Sequence, residues 1–116
     1  MKKADPISTE IIRNAFISIA QDMNAVLIRS AYTPVIYEGK DCVVALLDEK
    51  GEVLGQSSGL PLFLGNLQVC VQETAKMYGW DYFKEGDIFF VNDSFFTGTH
   101  LNDITIFAPI FWNGNL

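Results

Sequence analysis

Residues 6–30 read PISTEIIRNAFISIAQDMNAVLIRS, and the spacing of their apolar side chains decides the fold class. Ile12, Phe16, Ile19, Met23 and Val26-Leu27 recur at three- and four-residue steps, with Ala15 and Ala20 beside them. That is the period of one face of an α-helix. Asp5 before Pro6, or Ser8 before Ile11-Ile12, supplies a start signal. Tyr32-Thr33-Pro34 ends the helix, because a residue preceding proline is pushed out of helical geometry.

Downstream the period changes. Residues 42–47 (CVVALL) are β-rich, residues 48–51 (DEKG) form a turn whose glycine can take positive φ, and residues 52–56 return. After a loop holding Ser57-Ser58-Gly59 and Pro61, a second helix is expected over residues 64–78. It carries Leu67, Val71, Ala75 and Tyr78 on one face, with Gly79 at its C-terminal end. Two further strands are expected over residues 87–91 and 104–108, separated by a polar loop spanning residues 92–102. The resulting expectation is an α+β fold: a long N-terminal helix and a second helix packed on a small, mainly antiparallel sheet.

Asn113-Gly114 is a hairpin signal with no strand after it, so the chain reads as an incomplete portion of a larger domain. Its 116 residues allow one domain at most. A 49% hydrophobic and 19% charged composition argues against intrinsic disorder. The nine Phe, four Tyr and two Trp fit either an aromatic core or a surface that packs against further chain or a partner. An exposed apolar patch or an unpaired strand edge is expected on the second account.

The net charge of −6 and the absence of any basic run longer than Lys2-Lys3 argue against nucleic acid and against an anionic membrane surface. Nothing approaches the ~18 apolar residues of a membrane helix, and MKKADP lacks an apolar segment behind its lysines. A cytoplasmic protein is expected. Cys42 and Cys70 form no CxxC pair and read as buried free thiols. Glu38 and Asp41, flanking Lys40, read as a solvated turn.

The densest polar cluster is Asn92-Asp93-Ser94-Phe95-Phe96-Thr97-Gly98-Thr99-His100-Leu101-Asn102-Asp103, which contains the sole histidine. A turn could aim His100 and Asp103, three positions apart, at one point. Imidazole with carboxylate suits a divalent metal such as zinc, manganese or iron. Capping of a turn by Asp103 and simple exposure of His100 account for the same spacing. Two ligands leave a site short of at least one more from elsewhere. No GxxxxGK[ST] or GxGxxG loop cradles a nucleotide, and no GxSxG elbow presents a nucleophilic serine.

Several ordered motifs together resemble the hydantoinase B/oxoprolinase family. They are Asp5-Pro6 with Glu10-Ile11-Ile12-Arg13-Asn14-Ala15, Arg29-Ser30-Ala31-Tyr32, Asp41, and Leu60-Pro61-Leu62-Phe63-Leu64-Gly65. Gly86-Asp87 and Asn92-Asp93 follow, then Gly98-Thr99-His100-Leu101 with Asp103-Ile104. The resemblance implies part of a B-type subunit of an ATP-dependent cyclic-amide hydrolase of the hydantoinase or 5-oxoprolinase kind. The alternatives are a ketone carboxylase of the acetone or acetophenone type, or a truncated subunit that only docks on a partner.

The resemblance further implies a hydantoinase A-type partner that uses ATP to phosphorylate an amide, lactam or enolate oxygen. It assigns His100 and Asp103 as ligands of a divalent metal, with a further histidine supplied downstream, and Asp93 as a candidate catalytic carboxylate. This chain departs from the family pattern at Ser94 and Asn102, where members often have proline. It departs again at Thr97, where they often have glycine, and at Phe63, where they often have histidine. Loss of two prolines should loosen the loop, and threonine cannot readily take a glycine-only conformation. On its own the chain is expected to be inactive.

Overall fold

The computed structural model describes residues 5–59, 61–97 and 100–116. The readings that rest on Met1–Ala4, Leu60, Gly98 and Thr99 lie outside those residues. The described residues form three helices and four strands in the order α1 (Pro6–Ser30), α2 (Pro34–Tyr37), β1 (Ala45–Leu47), β2 (Val53–Gln56), α3 (Pro61–Tyr78), β3 (Phe89–Val91) and β4 (Thr105–Phe107). A 3₁₀ turn at Trp80–Tyr82 lies between α3 and β3. The α+β architecture expected from the sequence is present, and the antiparallel strands fall into two two-stranded sheets, β1–β2 and β3–β4.

Helix α1 starts where the sequence puts it. The Asp5 carboxylate accepts from the Ser8 amide at 3.0 Å and the Ser8 hydroxyl at 2.8 Å, and Pro6 sits in the first turn. Those bonds, the Ser8 hydroxyl first, hold the Asp5 carboxyl below its ordinary value. Helix α3 begins three residues earlier than the apolar period alone suggested, at Pro61. A proline is tolerated in a first helical turn because its missing N–H has no partner to lose there. The short α2 was not foreseen: Pro34 both stops α1 and, with its fixed φ, opens the next turn.

Close approach seats α1 on β2. A Cβ built on Gly55 would lie 2.7 Å from the Phe16 carbonyl carbon and 2.8 Å from its Cβ. Gly55→Ala should therefore lift α1 from the sheet, costing about 1–3 kcal/mol as an overpacked contact. A urea unfolding midpoint unchanged from the parent would refute that packing. Ser57, 2% exposed, extends the β1–β2 pairing: its N–H donates to the Val44 carbonyl, and its hydroxyl accepts from the Val44 amide. In the connecting turn, Asp48 Oδ1 accepts from Lys50 and Glu52, and Gly51 takes φ 74°.

The second half of the chain packs around aromatic rings. Phe83, 4% exposed, meets Phe89 edge-on at 4.9 Å, Trp80 at 5.6 Å and Phe107 at 6.0 Å. Phe89 and Phe107 are register partners across β3–β4, stacked at 4.8 Å. The side-chain period of two sends their neighbours to the other face. There Phe90 and its partner Ile106 are 62% and 63% exposed, with Ile88, Ile104 and Ile110 exposed beside them. The aromatic excess thus serves both readings, core and surface.

Residues 104–116, which supply Ile104, Ile106 and Ile110, carry no charged side chain, and an apolar face of this kind favours association. In solution the chain should self-associate, and Ile106→Lys should shift it toward monomer. Light scattering showing a monodisperse parent monomer would contradict this. At the end of the chain, Asn113 and Gly114 take φ of 50° and 80°, and Trp112 bridges Asn115 antiparallel. Two positive φ values are what a type I′ turn needs. Among the described residues no helix is long and apolar enough to cross a membrane.

Candidate functional site

The β3–β4 pairing brings the two ends of the polar loop together, since Val91 is the register partner of Thr105. Asp93 shapes the first half. Its Oδ1 accepts from the Phe95 and Phe96 amides at 2.9 and 3.3 Å, and its carbonyl accepts from Phe96 and Thr97. Ser94, in place of the expected proline, sits within a turn that these bonds close. Thr97 is buried, and its hydroxyl meets the Cys70 thiol from α3, which also hydrogen-bonds Thr105. Burial pushes the Cys70 thiol up, and the two threonines act against that shift. Threonine at position 97 has a use here, as a buried anchor between loop and helix. Positive φ among the non-glycine described residues is confined to Lys40 and Asn113, so Thr97 is not forced into a glycine conformation.

The second half of the loop holds the predicted pair. His100 Nδ1 lies 3.3 Å from Asp103 Oδ2. The same Oδ2 accepts from the His100 amide at 2.9 Å, and the Asp103 amide donates to the His100 carbonyl. Asp103 is thus both the cap of a tight turn and the neighbour of the imidazole. The His100 side chain is 65% exposed, whereas that of Asp103, at 28%, is half-buried. Phe63, near the start of α3, places its ring edge-on to the His100 ring at 6.4 Å.

Nitrogen and oxygen donors 3.3 Å apart can share one ion at ~2.1 Å from each. The residue types fit zinc, manganese or iron. Among the described residues no group of three or more His, Cys, Asp or Glu side chains could hold a metal. The pair therefore fits as part of a ligand set. Asp93 directs its carboxylate to the loop backbone, as described above. Glu38, Lys40 and Asp41 are exposed around a turn in which Lys40 takes φ 53°, as expected of a solvated turn. Cys42 and Cys70 are both free thiols, half-buried and buried respectively.

Sequence reasoning missed two residues that shape the loop. Asn92 Nδ2 donates to the carbonyls of Asp103 at 2.7 Å and Leu101 at 3.3 Å, across the neck of the loop. Cys70 reaches it from a helix more than twenty positions away. Neither has a spacing signal, because both contacts depend on strand register and helix placement.

An exposed His100 beside a half-buried Asp103, on a loop between paired strands and next to a helix, is what this fold offers as a site. The profile of the hydantoinase B/oxoprolinase family matches residues 5–116, and the chain belongs to that family. It is 35% identical to an uncharacterised protein of Methanocaldococcus jannaschii, over 97% of this chain and 20% of that protein. It is 33% identical to the 5-oxoprolinase of Saccharomyces cerevisiae, over 92% of this chain and 8% of that one. It is also 29% identical to the caprolactamase subunit beta of Pseudomonas jessenii, over 100% of this chain and 20% of the subunit. The chain thus spans a fifth or less of the length of these relatives. No solved structure matches it.

Proposed function

We propose that residues 1–116 are the N-terminal portion of a hydantoinase B/oxoprolinase-type domain, within the B-type subunit of an ATP-dependent cyclic-amide hydrolase. The observation that carries this reading is the 3.3 Å approach of His100 Nδ1 to Asp103 Oδ2, on a loop of a chain belonging to this family. The names of the yeast and Pseudomonas relatives, a 5-oxoprolinase and a caprolactamase subunit, both point to lactams. That favours ring opening over ketone carboxylation.

His100 and Asp103 would hold a divalent ion, with the remaining ligands supplied from outside residues 1–116. Such an ion supplies Lewis acidity toward an amide or phosphoryl oxygen and lowers the pKa of a bound water. Phe63 places its ring edge-on to the imidazole on one side. Asp93, on the same loop, is the candidate acid or base for proton transfer. A hydantoinase A-type partner would use ATP to activate the amide oxygen, so neither ATP hydrolysis nor amide hydrolysis is expected of residues 1–116 alone.

The test is a product assay on the subunit assembled with its ATP-using partner. Hydantoin, 5-oxoproline and caprolactam are compared with acetone plus bicarbonate. ATP-dependent opening of at least one cyclic amide is expected. Carboxylation of acetone without ring opening would replace this reading with the carboxylase one.

A further inference from the structure

The site loop raises a physical problem: His100 and Asp103 sit on exposed backbone, yet a metal-ligating pair must hold its geometry. The bonds between His100 and Asp103 close the turn on itself, and its Asp103 end continues through Ile104 into β4. Asn92 adds a side-chain tie to the turn from the end of β3, across the loop neck. It follows Val91 directly, and Val91 is paired with Thr105 at the end of the β3–β4 ladder, so its backbone is held by the sheet. Its side-chain nitrogen carries two N–H donors. They go to the Leu101 and Asp103 carbonyls at 3.3 and 2.7 Å, one inside the His100–Asp103 turn and one at its end. One amide thereby holds two peptide groups of the turn, the one after Leu101 and the one that follows Asp103.

We infer that Asn92 is a positioning residue, holding the His100–Asp103 turn in register with the hairpin so that imidazole and carboxylate converge on one ion. The inference rests on the metal reading given above. A carboxylate of the same size could not serve, since it has no proton to give and would face two carbonyl oxygens. Removal of partners that orient metal ligands typically costs ~10–100-fold in metal affinity.

The experiment uses the assembled protein stripped of metal and titrated with Co²⁺, followed by its absorption bands, alongside the thermal unfolding midpoint. Asn92→Ala and Asn92→Asp should each weaken Co²⁺ binding by about 10–100-fold. The unfolding midpoint should move by no more than a few degrees, because Asn92 is exposed and outside the core. His100→Ala should abolish binding. If both Asn92 variants bind Co²⁺ as the parent does while His100→Ala does not bind, the positioning role is overturned and the metal reading stands. If His100→Ala itself binds as the parent does, the metal reading falls and takes this inference with it. A loss of binding that only accompanies a collapse of the unfolding midpoint in both variants overturns the inference in favour of a structural role.

Discussion

Replacing His100 with alanine in the assembled protein should strip the bound metal and stop turnover while leaving the fold intact. The imidazole is mostly exposed and lies outside the core, so the cost in stability should stay within about 0.5 kcal/mol. The chemical cost should be far greater. An outer partner of a ligand is worth ~10–100-fold, and a ligand itself should exceed that range. Asp103→Asn separates ligation from turn capping. The amide oxygen can still accept from the His100 N–H, so the turn persists, while the anionic donor is gone. Metal content by mass spectrometry and a coupled ATPase and product assay read both variants. If His100→Ala keeps both metal and turnover, the pair is a structural turn and the site lies elsewhere.

The largest loss of stability should come from Phe83→Ala. Phe83 is 4% exposed and touches Trp80, Phe89 and Phe107, three rings drawn from the 3₁₀ turn and both strands of the second hairpin. Truncating a buried phenylalanine typically costs about 3–5 kcal/mol. Against a total stability of roughly 5–15 kcal/mol for a domain, that is a large share of what holds the fold. The stacked pair Phe89 and Phe107 would lose the ring that covers it, so the hairpin carrying the site loop should loosen first. Urea unfolding at dilutions free of association, with an unchanged m-value, gives the measurement. A loss below about 1 kcal/mol would mean that this cluster is not the core of the second half.

Much of the local structure was legible without coordinates. The helical period from Ile12 to Leu27 located α1, and Asp5-Pro6 located its start. The β-rich residues around a DEKG turn located the first hairpin, and Asn113-Gly114 located a tight turn. These signals are legible because each depends on backbone preferences and contacts only a few positions apart. His100 and Asp103 were legible as a candidate pair for the same reason: three residues and one turn separate them.

What faces what was not legible. Along β3 and β4 the alternation of faces is regular, yet Phe89 and Phe107 are no more apolar than Phe90 and Ile106. A period of two says that neighbours point opposite ways, and it says which way is inward only when one set is polar. Likewise much of the apolar stripe of α1 stays exposed, although Gly55 lets β2 come close to the helix at Phe16. Phe63 beside His100, Thr97 against Cys70 and Asn92 across the loop neck join positions 9 to 37 residues apart. Sequence by itself determined the two long helices and the two hairpins, though not the short α2, and named the chemistry of one loop. Only the tertiary structure decided which side chains meet, because register and helix placement are settled by packing between segments that carry no local signal of one another.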